Sequence, residues 1–479
     1  MMSGRPTVIL LAALPLAAAT HTPVPAVETK PHPCGVQSLP KDALCATYPV
    51  WENRERKTGR KIGLNIVILP ALGPEKAPDP LFVFAGGPGA PATDTVFGYV
   101  FMRTLRARRD IVFIDQRGTG GSNPLECDFY GDPPDLQVVV SDTFPLGAIR
   151  ACRARLEKVA DLRQYTTAAS VDDVEEVRQW LGYAKINIAG GSYGSLAAQV
   201  YWRRHGANVR SALLFGVVPP DELIPLHHAV AGQRAVDILL DKCRADSECS
   251  AAFPDLRREF DSLFERVRQG VEVEVHDLKG RTASVRPTIS GLAEGLRHYL
   301  YSSDSSSFPA MIHRAAGGDL TPLLQTAVTA QIRIINSLAM GLNLSVTCSE
   351  TVPYINDAVL ARETAHTFLG DSRVKEQRAA CAAWVRGSVP KDVHGLVRSE
   401  VPALLFSGAR DAVTPPEFGE RVAKRLSNGR HLVFPESSHS DLNGCGIRIA
   451  TEFLERSSAQ ELDVACVNDQ RPVKFVVPN

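Results

Sequence analysis

Short, continuously apolar runs alternate with helical patterns along most of the chain. Lys61–Leu69 begins with alternating polar and apolar residues and then becomes wholly apolar, as a strand does on entering a core. One intervening helix is predicted to begin at Ser170, with Asp173 completing a capping box. Buried strands alternating with helices predict a mostly parallel sheet with helices on both faces. Further strands are predicted at 81–85, 111–114, 186–189, 212–215, 403–406 and 431–434.

The strand rhythm stops between about residues 221 and 399. Helical patterns fill this stretch, and 271–275 is its one β-like run. We therefore expect a mainly helical cap over the core. The cap is inserted into the chain of the core, so it interrupts the succession of strands rather than preceding it. The predicted divisions are an irregular lead-in at 20–45, the first part of the core at 46–220, the cap at 221–399 and the rest of the core at 400–479.

The N-terminus has the pattern of an export signal. Arg5 precedes an apolar run at 8–19 that is shorter than the roughly 20 residues needed to cross a bilayer, and three alanines end it. We predict a signal peptide over 1–19 and a secreted or periplasmic protein without stable membrane insertion. Ten cysteines fit that destination, and their spacing suggests pairing in sequence order: 34 with 45, 127 with 152, 243 with 249, 348 with 381, and 445 with 466.

Composition and charge exclude several partners. Lys+Arg and Asp+Glu each number 53, so the formal net charge is zero and no concentrated positive field favours a nucleic acid. The cysteines and histidines lack zinc-like spacing. We expect no metal and no organic cofactor.

The strongest chemical signal follows the predicted strand at 186–189. Gly190-Gly191-Ser192-Tyr193-Gly194 has the G-x-S-x-G pattern, and a helical pattern comes directly after it. A serine on such a sharp strand-to-helix turn exposes its hydroxyl to a base, and the flanking glycines permit the close approach of neighbouring backbone. Ser192 is therefore the candidate nucleophile.

A serine hydroxyl needs a histidine to take its proton and a carboxylate to orient that histidine. Asp411 and His439 follow Ser192 in this order, each just past a predicted strand, where open α/β sheets place their sites. Asp441 is an alternative acid. Because it lies so close to His439 in the sequence, we expect its side chain to face solvent instead. For the oxyanion hole we expect the amide of Tyr193 and one from the loop at 85–89, where Gly87 is favoured over Gly86.

These motifs together resemble the prolyl and tripeptidyl aminopeptidase family of α/β-hydrolases. The resemblance rests on AGGPG at 85–89, DQRGTGGS at 115–122 and GGSYGS at 190–195, and it extends from about Cys45 to Cys466. It implies an α/β-hydrolase core with an inserted helical cap, and it implies Ser192, Asp411 and His439 as the triad. The chain departs from the family in two ways: Ala85 replaces the usual histidine, and Ser438 and Ser440 flank the base where the family usually has glycine or a similarly small residue.

The resemblance also implies roles outside the triad. Asp115 and Arg117 are expected to be structural, held by a buried ion pair or by backbone hydrogen bonds. Because VTCSE at 346–350 is similar to the family's cap motif, Glu350 is the candidate for binding the ammonium group of a substrate.

The expected function is a secreted serine aminopeptidase that releases residues or short peptides from peptide N-termini through an acyl-enzyme on Ser192. Its substrate would be a peptide or small acyl compound with a free amine. A carboxylesterase using the same triad is the alternative, because the triad acylates on esters and amides alike. A catalytically inactive binding module is a lesser alternative, against which the complete set of serine, acid and base argues.

Overall fold

The computed structural model describes residues 30–36, 39–439 and 442–478. The predicted signal peptide at 1–19 lies outside the described residues, as do Ser440 and the alternative acid Asp441. No helix among the described residues combines the length and the apolar character needed to span a bilayer.

The architecture is built on a nine-stranded sheet in the order β1-β2-β3-β5-β4-β6-β7-β10-β11. The strands from β5 to β11 in this order pair in parallel, whereas β1, β2 and β3 form an antiparallel edge. The two remaining strands, β8 and β9, form a separate hairpin. The strands are β1 (His32–Pro33), β2 (Leu44–Trp51), β3 (Lys61–Leu69), β4 (Leu81–Phe84), β5 (Ile111–Ile114), β6 (Ile186–Gly191), β7 (Val209–Phe215), β8 (Val273–His276), β9 (Thr282–Val285), β10 (Ala403–Gly408) and β11 (Gly429–Phe434).

Helices connect the parallel strands and fill the insertion between β7 and β10. They are α1 (Val96–Phe101), α2 (Leu136–Val139), α3 (Leu146–Leu156), α4 (Thr167–Trp180), α5 (Tyr193–His205), α6 (His228–Ala245), α7 (Ser247–Ala252), α8 (Leu256–Arg268), α9 (Ile289–Tyr299), α10 (Phe308–Ala316), α11 (Thr321–Asn336), α12 (Met340–Glu350), α13 (Asp357–Thr364), α14 (Ser372–Ala382), α15 (Pro416–Ala423) and α16 (Gly444–Arg456).

Both faces of the sheet are covered by apolar side chains. Along β4, Phe82 and Phe84 belong to one hydrophobic cluster, and Leu81 and Val83 belong to a second one. Successive side chains of a strand point to opposite faces, so the two clusters pack on opposite sides of the sheet. The expected fold class, a mostly parallel α/β-hydrolase sheet with helices on both faces and a helical insertion, is confirmed.

Residues 216–402, here called the roof, contain nine helices and the β8–β9 hairpin. They leave the sheet after β7 and return at β10, which pair with each other in parallel. The roof therefore interrupts the chain without interrupting the sheet, because the strands before and after it are neighbours.

All five cysteine pairs form as predicted from their order in the sequence. Two of them, Cys243–Cys249 and Cys348–Cys381, lie within the roof, and the second joins α12 to α14. The other three lie outside it: Cys34–Cys45, Cys127–Cys152 and Cys445–Cys466.

The predicted start of one helix was wrong. Helix α4 begins at Thr167, three residues before Ser170, because Thr166 has extended backbone angles and its hydroxyl accepts a hydrogen bond from the amide of Ala169. Asp173 is not a cap, since its carboxylate pairs with Arg117 through contacts of 2.6 and 2.8 Å. That pair confirms the structural role predicted for Arg117.

Strand β2 has no counterpart in the predicted pattern. It contains Pro49 and is mostly half-buried between β1 and β3, so its apolar residues show neither clear alternation nor a continuous run.

Asp115, also predicted to be structural, is confirmed as such: it accepts hydrogen bonds from the amides of Thr93 and Gly121 and from the side chain of Asn65.

Candidate active site

Ser192 occupies the turn between β6 and α5. Its φ is +55° and its ψ is −131°, an uncommon backbone conformation for a residue with a side chain. The turn is held from behind, because the Ser192 amide donates to the carbonyl of Phe215 at 3.0 Å and the hydroxyl of Ser195 donates to the Ser192 carbonyl at 2.7 Å. Ser192 itself lines a cavity beneath the roof.

Glycine is required at the positions around this turn. A Cβ on Gly190 would lie 2.3 Å from the carbonyl oxygen of Gly194, and a Cβ on Gly194 would lie 2.1 Å from the carbonyl oxygen of Phe84. Neither contact is possible, so the sharp strand-to-helix turn depends on both residues. The G-x-S-x-G pattern is therefore explained by packing as well as by chemistry.

The loop after β4 lies beside the serine. Gly86 is close enough that a Cβ there would be 3.4 Å from the Cβ of Ser192, and Gly87 has a φ of +112° that glycine adopts without strain. Both glycines line the same cavity as Ser192 and Tyr193. Tyr193 is the first residue of α5, and the amides of a first helical turn have no partner within the helix.

Asp411 and His439 are hydrogen-bonded to each other. The Nδ1 of His439 lies 2.9 Å from Oδ2 of Asp411, which is fully buried in the loop after β10. His439 follows β11 and lines the cavity together with Ser192. The structure therefore brings all three predicted residues to the carboxyl ends of strands β6, β10 and β11 of one sheet.

Asp411 is held in its ionised form by its neighbours. Its Oδ1 accepts from the amides of Val413 and Thr414 at 2.8 Å, and its Oδ2 accepts from the hydroxyl of Thr414 at 2.6 Å. Burial alone would raise the pKa of Asp411, but the charge of His439 and these hydrogen bonds lower it below its usual value. The carboxylate is thus suited to accept the Nδ1 proton of the imidazole.

The roof supports the histidine. The ring of Tyr301 lies 4.9 Å from the ring of His439, measured between centroids, and its carbonyl accepts from the His439 amide at 3.3 Å. Ser438 donates its hydroxyl to the carbonyl of Leu300 at 2.6 Å, and its amide donates to Oγ of Ser303 at 2.8 Å. Ser438 therefore ties the histidine loop to the roof.

The cavity has a volume of about 360 Å³ and is lined by both the core and the roof. Its lining is apolar along α11, at Ile334 and Ile335, and it is polar or charged along α9 and α14. Two glutamates reach it, Glu222 and Glu294. Among the described residues, no cluster of three or more His, Cys, Asp or Glu side chains is arranged to hold a metal ion.

Glu350 is not part of this lining. It is buried at the end of α12, where Oε1 accepts from the Thr167 amide and Oε2 accepts from the Thr167 hydroxyl, each at 2.7 Å. Both oxygens are therefore occupied by the core, away from a bound substrate. Burial raises the pKa of Glu350 to about 7, against the effect of these two hydrogen bonds.

Several residues around the site were not predicted from the sequence. Thr414 was visible only as a polar residue three positions after Asp411, which is the spacing of an Asx-type turn. Glu294 and Arg297 have the (i, i+3) spacing of a helical ion pair. Nothing in that spacing indicates that they reach the cavity, since this depends on how the roof packs.

Two family models match the chain. One, described as the alpha/beta hydrolase fold, matches residues 79–235, and the other, described as TAP-like protein, matches residues 366–466. The first covers the strand before the glycine loop and the Ser192 turn, and the second covers Asp411 and His439. The serine and its predicted partners thus fall in two separately recognised segments.

Curated relatives agree with these models. The Escherichia coli hydrolase YuaR is 25% identical over 311 residues, which are 62% of this chain and 61% of that protein. Tripeptidyl aminopeptidase of Streptomyces coelicolor is 22% identical over 471 residues, which are 91% of this chain and 85% of that protein. Proline iminopeptidase of Neisseria meningitidis is 29% identical over 152 residues, which are 31% of this chain and 37% of that protein.

Proposed function

Since the chain is a serine hydrolase of the α/β-hydrolase fold and is related to peptidases, we propose that it is an exported aminopeptidase with Ser192 as nucleophile. The observation that carries this proposal is the 2.9 Å hydrogen bond between His439 and the buried Asp411 on the wall of the cavity that Ser192 lines. Relatives named tripeptidyl aminopeptidase and proline iminopeptidase support a peptide substrate cleaved near its N-terminus.

In the proposed reaction, Nε2 of His439 accepts the Ser192 proton as the hydroxyl oxygen attacks the substrate carbonyl. The amides of Tyr193 and Gly87 stabilise the negative charge that develops on the carbonyl oxygen. The carbon–nitrogen bond then breaks, and His439 returns the proton to the leaving amine. Water hydrolyses the resulting ester on Ser192 by the same proton transfers in reverse.

Asp411 orients the imidazole throughout this cycle. Because its carboxylate accepts the Nδ1 proton, Nε2 is left free to act as base, and the imidazolium formed during attack is stabilised by the adjacent negative charge. The lowered pKa of Asp411 keeps that charge in place at neutral pH.

Glu350, the candidate for binding the substrate's free amine, does not line the cavity. Glu350 is occupied by Thr167, so the carboxylates available in the cavity are Glu222 and Glu294. Glu222 is bonded to His227 and Arg421, and Glu294 is bonded to Arg297 and Arg373. The pairing of both glutamates with arginine favours the second candidate function, a carboxylesterase that uses the same triad and needs no amine.

Export is the remaining part of the proposal. Five disulfides require an oxidising compartment, and the apolar N-terminal run would direct the chain there. Expression of the full chain in a bacterial host, followed by fractionation and N-terminal sequencing, tests this. Recovery of the unprocessed chain in the cytoplasm would contradict it.

The activity is tested with three kinds of chromogenic substrate: aminoacyl and tripeptidyl arylamides with a free amine, the same compounds with an acetylated amine, and simple acyl esters. An aminopeptidase turns over the first group and loses activity when the amine is blocked. Turnover of esters alone identifies the carboxylesterase. Ser192→Ala must abolish whichever activity is found, and persistence of that activity would show that Ser192 is not the nucleophile.

A further inference from the structure

One wall of the cavity holds a compact group of charged side chains from α9 and α14, here called the arginine cluster: Glu294, Arg297 and Arg373. Arg297 makes two contacts with Glu294, at 2.5 Å through Nη2 and at 2.8 Å through Nε. Arg373 donates its Nε to the same carboxylate at 3.0 Å. All three residues line the cavity that contains Ser192 and His439.

The arginine cluster carries an excess of positive charge. Both guanidinium groups stay protonated, and one carboxylate lies between them. The neighbouring histidines do not change this: burial lowers the pKa of His298 to about 3 and places the pKa of His228 well below its usual value. Burial also lowers the pKa of Arg373, against the effect of the negative charge of Glu294.

Glu376 is the other carboxyl group close to Arg373. It does not line the cavity, and its Oε2 accepts from the amide of Thr143 at 3.3 Å. Burial and the negative charge of Glu294 raise its pKa. The charged side chains that α9 and α14 contribute to the lining are therefore two arginines and one glutamate.

Among the described residues, one polar atom of Arg373 and one of His228, which also lines the cavity, have no hydrogen-bond partner. Arg373 uses Nη1 for Gln377 at 2.5 Å and lies 4.6 Å above the ring of Phe144, but within the described part of the chain no hydrogen bond involves its Nη2. The Nδ1 of His228 is buried and also lacks a partner. An unpartnered donor on a buried cation is a group that a bound anion would satisfy.

We propose that the arginine cluster is a subsite for a carboxylate group of the substrate, with Arg373 as its main ligand. This inference rests on the proposed function, because it assigns part of the substrate to the same cavity. The planar guanidinium suits a carboxylate, which accepts two parallel hydrogen bonds from it. The net positive charge of the arginine cluster also repels an ammonium group, so in this proposal Glu294 does not hold the free amine of a peptide.

The subsite is near the reacting groups. Arg297 donates Nη1 to the hydroxyl of Tyr301 at 2.6 Å, and the Tyr301 ring lies 4.9 Å from the ring of His439. A single side chain thus separates the arginine cluster from the proposed base. In a cavity of about 360 Å³, the carboxylate and the scissile bond belong to one small substrate or one short peptide segment.

The carboxylate has two possible sources, and matched substrates distinguish them. Aspartyl and asparaginyl arylamides, or glutamyl and glutaminyl arylamides, test an acidic side chain in the released residue. A neutral tripeptide with a free or an amidated C-terminus tests the terminal carboxylate. In one of these comparisons we expect kcat/KM to be roughly 10- to 100-fold higher for the acid than for the amide, because only the acid forms a hydrogen bond between two charged groups.

Arg373→Met should lower kcat/KM for the acids and so remove that preference, since it retains the length of the side chain without its charge. The control is Arg378→Met on the same helix, because Arg378 pairs with Asp357 and does not line the cavity. If Arg373→Met fails to fold, the ratio of kcat/KM between acid and amide in the wild type tests the subsite by itself. Equal turnover of acids and amides by the wild type, with Ser192→Ala inactive, overturns the subsite and leaves the proposed function standing.

Binding is measured separately, so that the test does not depend on finding the right scissile bond. Glutarate and glutaramide are compared by calorimetry and by thermal shift in buffer without other carboxylates. Glutarate should bind at least 10-fold more tightly, and Arg373→Met should abolish the difference. Equal binding of the two compounds would overturn the subsite, and binding of glutarate without any hydrolytic activity would refute the proposed function alone.

Discussion

Glu350 accepts two hydrogen bonds from Thr167, one from its amide and one from its hydroxyl, each 2.7 Å long. The Thr167 hydroxyl also lies 2.7 Å from the hydroxyl of Tyr193, the residue that follows the proposed nucleophile. This chain of contacts links helix α12 of the roof to the beginning of α5. Glu350 is thereby connected through Thr167 to the side chain of Tyr193.

Glu350→Gln should make the protein more stable than the wild type at pH 8 but not at pH 5. Burial raises the pKa of Glu350 from 4.5 to about 7, so the wild type loses stability as the pH rises through that interval and remains less stable above it. The shift corresponds to about 3 kcal/mol. Urea unfolding at the two pH values measures it.

The exposed Glu265 pairs only with Arg268 on its own helix, so Glu265→Gln is the matched control and should show the same effect at both pH values. An equal change for Glu350→Gln at pH 5 and pH 8 would mean that Glu350 ionises normally in the folded state.

Thr414→Val should slow turnover about 10-fold without changing the fold, because it removes one hydrogen bond from the ionised Asp411. Asp411→Asn should lower kcat on the order of 10³- to 10⁴-fold, since it presents the wrong partner to Nδ1 of His439. Steady-state kinetics at saturating substrate give both values. Thr451→Val, whose hydroxyl bonds within α16, is the control, and a loss there as large as that of Thr414→Val would rule out the proposed reason.

Gly194→Ala should destabilise the protein by at least about 3 kcal/mol, because the added methyl group would lie 2.1 Å from the backbone of β4. Gly147→Ala is the matched helical control: no atom comes within 4 Å of its added Cβ, and we expect a gain of about 0.5–1 kcal/mol. Thermal unfolding checks both. A folded, active Gly194→Ala enzyme would show that the turn is looser than described.

Asp173→Asn should cost about 3–5 kcal/mol, because it leaves the fully buried guanidinium of Arg117 without its counter-charge. The neighbouring Asp172→Asn should cost much less, since Asp172 pairs with Arg204 and His205 nearer the surface. Chemical unfolding compares the two variants. Activity per folded molecule should be unchanged in both, and a selective loss of kcat in Asp173→Asn would give this pair a role beyond stability.

Local sequence patterns predicted the sheet and the order of the site residues. Strands β3 and β5 match their predicted bounds residue for residue, because β3 alternates between polar and apolar residues before it becomes fully buried and β5 is buried throughout. The turn at Ser192 and the loops carrying Asp411 and His439 were recognisable because each follows such a strand.

The roof was less predictable because its helices do not indicate which face meets the cavity. Glu350 and Glu294 both lie on mainly buried helices, and their sequence surroundings do not distinguish the one bonded to the core from the one that reaches the site. Only the packing of α9, α12 and α14 against the core decides this, and it depends on contacts distant in sequence.

The placement of the disulfides has a consequence for how a substrate enters. All ten cysteines lie in the described residues, and each of the five bonds joins two cysteines of the roof or two cysteines outside it. Only the two chain crossings, after β7 and before β10, connect roof and sheet covalently. A substrate whose entry displaces the roof would therefore break non-covalent contacts, such as the Ser438–Leu300 and Thr167–Glu350 hydrogen bonds, while every sulfur–sulfur bond stays intact.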